Sequence, residues 1–207
     1  MRLLDYLNEN TNIDIDKVKS TSMFKLYQQS SDNYIYRATN HNIKSIVRLQ
    51  RRTDRTPKDM PLEYHKLFDK LFQKKFGWKA RSAGVFATSD FRATRTYGTP
   101  YIFIPEDPYS FLYSTKIADL FSEVADGWGA FLTKLDYAIL DGDEDQIKKL
   151  AARKKNVDVQ TKEHVIDKVV NTYKDNNIKQ AIKKETEIMF NCDNYYLINI
   201  DYFKSII

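Results

Sequence analysis

Apolar positions recur along most of the chain at helical spacing, broken by short runs that alternate. Residues 1–31 read as helical, with Leu3, Leu4 and Leu7 forming one stripe and Val18, Met23, Phe24 and Tyr27 a second. Asn33-Tyr34-Ile35-Tyr36-Arg37 is aromatic and β-branched with alternation, which predicts a strand. Ile43, Ile46 and Val47 predict a short helix over 42–50, and residues 48–58, rich in arginine, predict an exposed loop. Pro61 starts a helix whose greasy face is Leu67, Leu71, Phe72 and Phe76, and Gly77 ends it.

Two strands are expected at 83–88 and 100–104, around a short helical patch at 91–97. From Lys116 to about Leu140 the spacing is helical again, interrupted at Gly127 and Gly129. Residues 141–184 are highly charged with amphipathic spacing through Ile147, Leu150, Val165, Ile166, Val169, Val170, Ile178 and Ile182. Glu187 to Phe190 and Tyr195 to Ile200 predict a terminal hairpin that turns at 191–194. The expected architecture is α+β, one domain over 1–207. Its expected parts are a helical start (1–31), a core (33–140), a charged helical segment (141–184) and a C-terminal hairpin (185–207).

Composition narrows this picture in a few respects. Hydrophobic content of 42% and aromatic content of 14% suffice for a real core and exclude disorder by composition. A formal charge of +5 is compatible with phosphate-bearing ligands, nucleic acid or an acidic partner, and selects none of them. Cys192 is the single cysteine, which excludes an intrachain disulfide and a cysteine-based zinc site. No His/Asp/Glu spacing suggests a metal and no glycine-rich loop suggests a P-loop, so no metal cofactor is expected. No stretch approaches the ~20 apolar residues that span a bilayer. Met1-Arg2-Leu3-Leu4 runs straight into polar sequence without a signal peptide, so a cytoplasmic protein is expected, with no membrane partner.

Three positions carry candidate chemistry. Arg37, at the end of an aromatic strand and followed by Ala38, offers a fork of donors for a phosphate or carboxylate; its alternative is a surface arginine at a strand edge. Ala87-Thr88-Ser89-Asp90 ends a strand in consecutive hydroxyls and is followed by Phe91 and Tyr97, either of which can stack on a flat ring. Ser89 or Asp90 also serves as the N-cap of a helix starting near Phe91. Glu185-Thr186-Glu187 sets two carboxylates at the entry to Ile188-Met189-Phe190, where alternation would turn both to one face. Like charges so placed are costly. A site that stabilises a cationic transition state and orients a nucleophile would gain from them.

Arginine on an early strand, Thr-Ser closing a middle strand, and E-x-E opening a late strand together resemble the mono-ADP-ribosyltransferases of the Arg–Ser–Glu class. Bacterial toxins and bacteriophage enzymes that modify host proteins belong to that class. Tyr36-Arg37 matches its first element, Ala87-Thr88-Ser89 its second and Glu185-Thr186-Glu187 its third. Ala38 stands where the family often has glycine, and Ala87 where it has serine. The histidine-dependent branch fits less well, since His41, His65 and His164 lie off the matching strand.

The resemblance implies NAD as substrate, transfer of ADP-ribose with release of nicotinamide, and a host protein as target in the host cytoplasm. It also implies the family's split β-sheet core. Glu187 would stabilise the oxocarbenium-like ribose, and Glu185 would orient an acceptor arginine. Arg37 would clamp the pyrophosphate, and Thr88 or Ser89 would brace Glu187. Alternatives on the same fold are an NAD glycohydrolase or a nucleic-acid ADP-ribosyltransferase. A further alternative is a non-enzymatic protein that binds nucleic acid or a host factor, with Arg48, Arg51, Arg52 and Arg55 as the candidate nucleic-acid contacts.

Overall fold

The computed structural model describes residues 13–30, 33–56, 60, 62–118, 120, 141–153 and 162–207. The expected stripe at Leu3, Leu4 and Leu7 and most of the helix expected over 116–140 lie outside the described residues. The architecture is α+β, built on an antiparallel sheet of eight strands. These are β1 (Tyr36–Thr39), β2 (Ile46–Gln50), β3 (Val85–Thr88), β4 (Thr99–Pro105), β5 (Ser110–Ser114), β6 (Tyr173–Lys174), β7 (Glu187–Asn191) and β8 (Asn194–Ile198). Their spatial order is β2-β8-β4-β1-β3-β7-β5-β6.

The described helices are α1 (Ile15–Ser20), α2 (Ser22–Gln28), α3 (Leu62–Phe76), α4 (Ala80–Ala83), α5 (Phe91–Arg95), α6 (Glu144–Arg153), α7 (Lys162–Val170), α8 (Ile178–Lys183) and α9 (Ile200–Ile206). Gly77 ends α3 with φ of 84°, as the sequence suggests. Two readings change. Residues 46–50 form β2 and not a helix, because Ile46, Val47 and Leu49 pair in register with Ile198, Leu197 and Tyr195 of β8. The two C-terminal strands form, yet they do not pair as a hairpin: β7 lies between β3 and β5, and β8 between β2 and β4.

That separation fixes the shape of the sheet. In a flat sheet, four strand steps would hold β7 and β8 about 19 Å apart. The three peptide units from Asn191 to Asn194 reach at most about 11 Å. The sheet therefore curls, and a ring contact shows its two halves facing each other: Phe103 of β4 lies 4.8 Å from Phe190 of β7. The give is between β1 and β3, which share one paired position, Tyr36 with Thr88. Helices close the outside. Phe24 and Tyr27 of α2 meet Tyr34 and Phe203 in an aromatic cluster. Phe68 and Phe72 of α3 join Ile166 and Val169 of α7 over Leu112 and Met189.

Candidate active site

Strand register gathers the three sequence motifs. Thr88 of β3 lies directly opposite Tyr36 of β1 on one side and Glu187 of β7 on the other. Directly opposed residues in antiparallel pairs project to the same face. Tyr36, Thr88 and Glu187 thus form a row across three consecutive strands, at the point where the sheet begins to split.

The ends of these strands are pinned locally. Glu187 donates its backbone N–H to the Ala118 carbonyl at 2.7 Å. Thr88 Oγ1 accepts from the Asp90 N–H at 3.1 Å, and Asp90 caps α5 by accepting from the Ala93 N–H at 2.9 Å. Of the two capping candidates, Asp90 is the cap. Ser89 instead donates its hydroxyl to the Ile182 carbonyl at 2.5 Å, tying β3 to α8. Thr88, the cross-strand neighbour, is therefore the better placed of the two hydroxyls to face Glu187. Phe91 packs edge-on against Tyr36 at 5.2 Å, whereas Tyr97, in the turn after α5, is 67% exposed. Ala38 sits opposite Pro100 on β4.

Two of the expected side-chain placements differ. Glu185 is exposed in the turn after α8 with φ of 54°, outside β7, so strand alternation does not bring it beside Glu187. Arg37, one position after Tyr36, projects to the opposite face from Glu187. One of its Nη groups donates to the Phe86 carbonyl across the split, and its guanidinium stands 5.8 Å from the Tyr195 ring.

Glu187 meets a different arginine. Arg81 of α4, which belongs to none of the three sequence motifs, places Nη1 3.8 Å from Glu187 Oε1, with 7% of its side chain exposed. Its guanidinium also lies 4.9 Å from the Phe86 ring centroid, and that of Arg55 lies 4.0 Å over the same ring. Asp69 of α3 holds α4 in position by accepting from the Arg81 N–H (2.7 Å), the Ser82 N–H (3.2 Å) and the Ser82 hydroxyl (2.5 Å). No local pattern in Lys79-Ala80-Arg81-Ser82 marks Arg81, because its partner Glu187 lies more than a hundred residues further along the chain.

The basic segment is not one patch. Arg48 lies on β2 and grips Glu106 with two bonds, at 2.7 and 2.8 Å. Arg51 donates to Asn191 and pairs with Asp193 at 3.2 Å, and Arg52 pairs with Asp54 at 3.2 Å. Arg55 alone turns toward the site, anchored by its N–H to the Ser82 carbonyl at 3.2 Å. Beyond it opens a cleft of about 790 Å³ between the 54–56 segment, α3 and α4, whose charged lining is mostly basic (Arg55, Lys66, Lys70, Lys74 and Lys79) but includes Asp54 and Asp69, with His65 among its other residues. Burial lowers the pKa of His65 in its floor, favouring the neutral imidazole. Glu187 is not part of that cleft's wall.

Among the described residues, no group of three or more His, Cys, Asp or Glu is placed to hold a metal. Among them, too, no helix is long and apolar enough to cross a membrane. No family model, no curated protein and no solved structure matches the chain.

Proposed function

We propose that this chain is an NAD-dependent mono-ADP-ribosyltransferase that modifies arginine side chains of a host protein, on the split-sheet fold of that family. The observation that carries the reading is the row across β1, β3 and β7. Three segments far apart in sequence, each matched to a family motif, fall on adjacent strands with Thr88 opposite Glu187.

In the proposed reaction the C–N bond between ribose and nicotinamide breaks, and its electron pair leaves on the nicotinamide nitrogen. Positive charge grows on the ribose, where the Glu187 carboxylate stabilises it and orients the hydroxyls. A guanidinium nitrogen of the acceptor then forms the new bond to the ribose carbon. The proton it loses passes to Glu185, which stands in the exposed turn two residues ahead and faces an incoming protein. Phe91 or Tyr97 stacks on the nicotinamide.

The test is incubation of the protein with labelled NAD and a bacterial lysate, beside Glu187→Gln. Label on discrete proteins with the wild type alone supports the transferase. Nicotinamide release without labelled protein supports a second reading, an NAD glycohydrolase or a nucleic-acid transferase, which the separation of Glu185 from the β7 strand favours. No NAD consumption, with no change in melting temperature, overturns both and leaves a non-enzymatic binding protein.

A further inference from the structure

Arg81 poses a problem of its own. Its side chain is more than nine-tenths buried, its Nη1 is too far from Glu187 for a hydrogen bond, and its Nε has no hydrogen-bond partner among the described residues. Native proteins seldom bury a guanidinium donor without giving it an acceptor. Arg55 lies over the same Phe86 ring, and Arg37 reaches the Phe86 backbone carbonyl. Three cations thus surround one residue, with Glu187 the one carboxylate paired to any of them among the described residues. The crowding is felt: burial first, then the charges of Arg37 and Arg81, lower the pKa of Arg55 below the ordinary arginine value. Asp69 directs its acceptor contacts to the α4 backbone and Ser82, so the two guanidinium forks, with the lysines of the adjoining cleft, leave a surplus of positive charge in a partly desolvated place, which suits an anion.

Resting on the NAD reading above, we infer that Arg55 and Arg81, flanking Phe86 beside Glu187, form the pyrophosphate-binding site of this chain. A pyrophosphate carries two negative charges and oxygens in pairs, the pattern that guanidinium forks bind with parallel hydrogen bonds. Arg55 is the member that reaches solvent, although its guanidinium packs over the Phe86 ring, and it lines the cleft, so the ligand enters there. Lys66, Lys74 and Lys79 on the cleft wall extend the positive field outward. Arg81 is the buried member, held by Asp69 through the α4 backbone, and supplies the fixed donors. Arg37, on the opposite face and bonded to β3, braces the split and leaves the phosphates to the other two.

The test titrates inorganic pyrophosphate, ADP and adenosine against the full chain by calorimetry at low and moderate salt. The variants are Arg55→Ala, Arg81→Lys and, as a distant control, Arg95→Ala. Pyrophosphate and ADP are expected to bind and adenosine not to, with Arg55→Ala weakening both by about tenfold and reducing the salt dependence. Arg81→Lys keeps the charge but loses the fork, and is expected to weaken binding in the same sense. Because a buried arginine variant can fail to fold, the exposed Arg55→Ala decides. Equal pyrophosphate affinity in wild type and Arg55→Ala, or no pyrophosphate binding at low salt, overturns the site. Pyrophosphate binding that needs Arg55, in a protein that never consumes NAD, keeps the site and sinks the transferase. NAD consumption with an unchanged KM in Arg55→Ala does the reverse.

Discussion

Glu106 shows how much one side chain can do away from the site. Arg48 binds it through two bonds, Lys17 approaches to 3.3 Å and the Tyr196 hydroxyl donates to it. The Arg48 bonds above all hold its carboxyl at about 2, against an ordinary 4.5. A carboxyl depressed on folding stabilises the native state above its unfolded value, and that contribution fades as pH falls from about 4.5 to about 2. Discounted for the half-exposed Arg48, it amounts to about 1–3 kcal/mol. Urea melts at pH 7 and pH 3 should therefore show a smaller difference for Glu106→Gln than for the wild type; equal differences would remove Glu106 from the acid response. Cys192 makes the complementary case. Burial pushes its thiol up to about 12, so thiolate is scarce at pH 8. Ellman's reagent should label the native protein far more slowly than the urea-unfolded chain, and equal rates would contradict that burial.

At the scale of elements, α4 is the piece on which the proposed pyrophosphate site turns. It is a single turn, too short to hold itself, and Asp69 supplies three acceptor contacts to its start. Asp69→Ala leaves buried donors without acceptors and should cost about 2–4 kcal/mol, with pyrophosphate affinity falling alongside as Arg81 loses its footing. Gly84, where α4 turns into β3, has a different constraint. A Cβ there would stand 2.2 Å from the Ala80 carbonyl oxygen, which is backbone and cannot swing away. Gly84→Ala should cost at least about 1–3 kcal/mol in denaturant melts; a neutral result would mean that α4 unwinds freely. These elements also mark how far the sequence could be read. The α3 face, the Asp90 cap and the stop at Gly77 depend on neighbours a few residues away, and local pattern exposes them. Residues 42–50 misled because Ile43, Ile46 and Val47 suit a helical period, while the β8 partner that makes 46–50 a strand lies at 194–198. Glu185 misled because a left-handed turn, invisible to strand alternation, separates it from Glu187.

At the scale of the molecule, neither the topology nor the contact of Arg81 with Glu187 could be read locally, since both arise from segments meeting across the chain. Consecutive strands usually pair, yet the two-residue link between β7 and β8 instead joins the two halves of a curled sheet. One core fills the curl, running from Val85 and Ile188 on one half to Phe103 and Leu197 on the other. The halves share a single bridge at Tyr36 and Thr88, so this core holds them face to face and keeps the row to Glu187 in register. Phe103 is its centre, fully buried against Phe190 and Tyr195. Phe103→Ala should cost about 3–5 kcal/mol without splitting the unfolding transition, because both halves lose the same contacts at once. Near- and far-ultraviolet circular dichroism should then lose signal together. If the near-ultraviolet signal melts first while helix content persists, the halves are separate folding units. The row across β1, β3 and β7 would then depend on a ligand to align it.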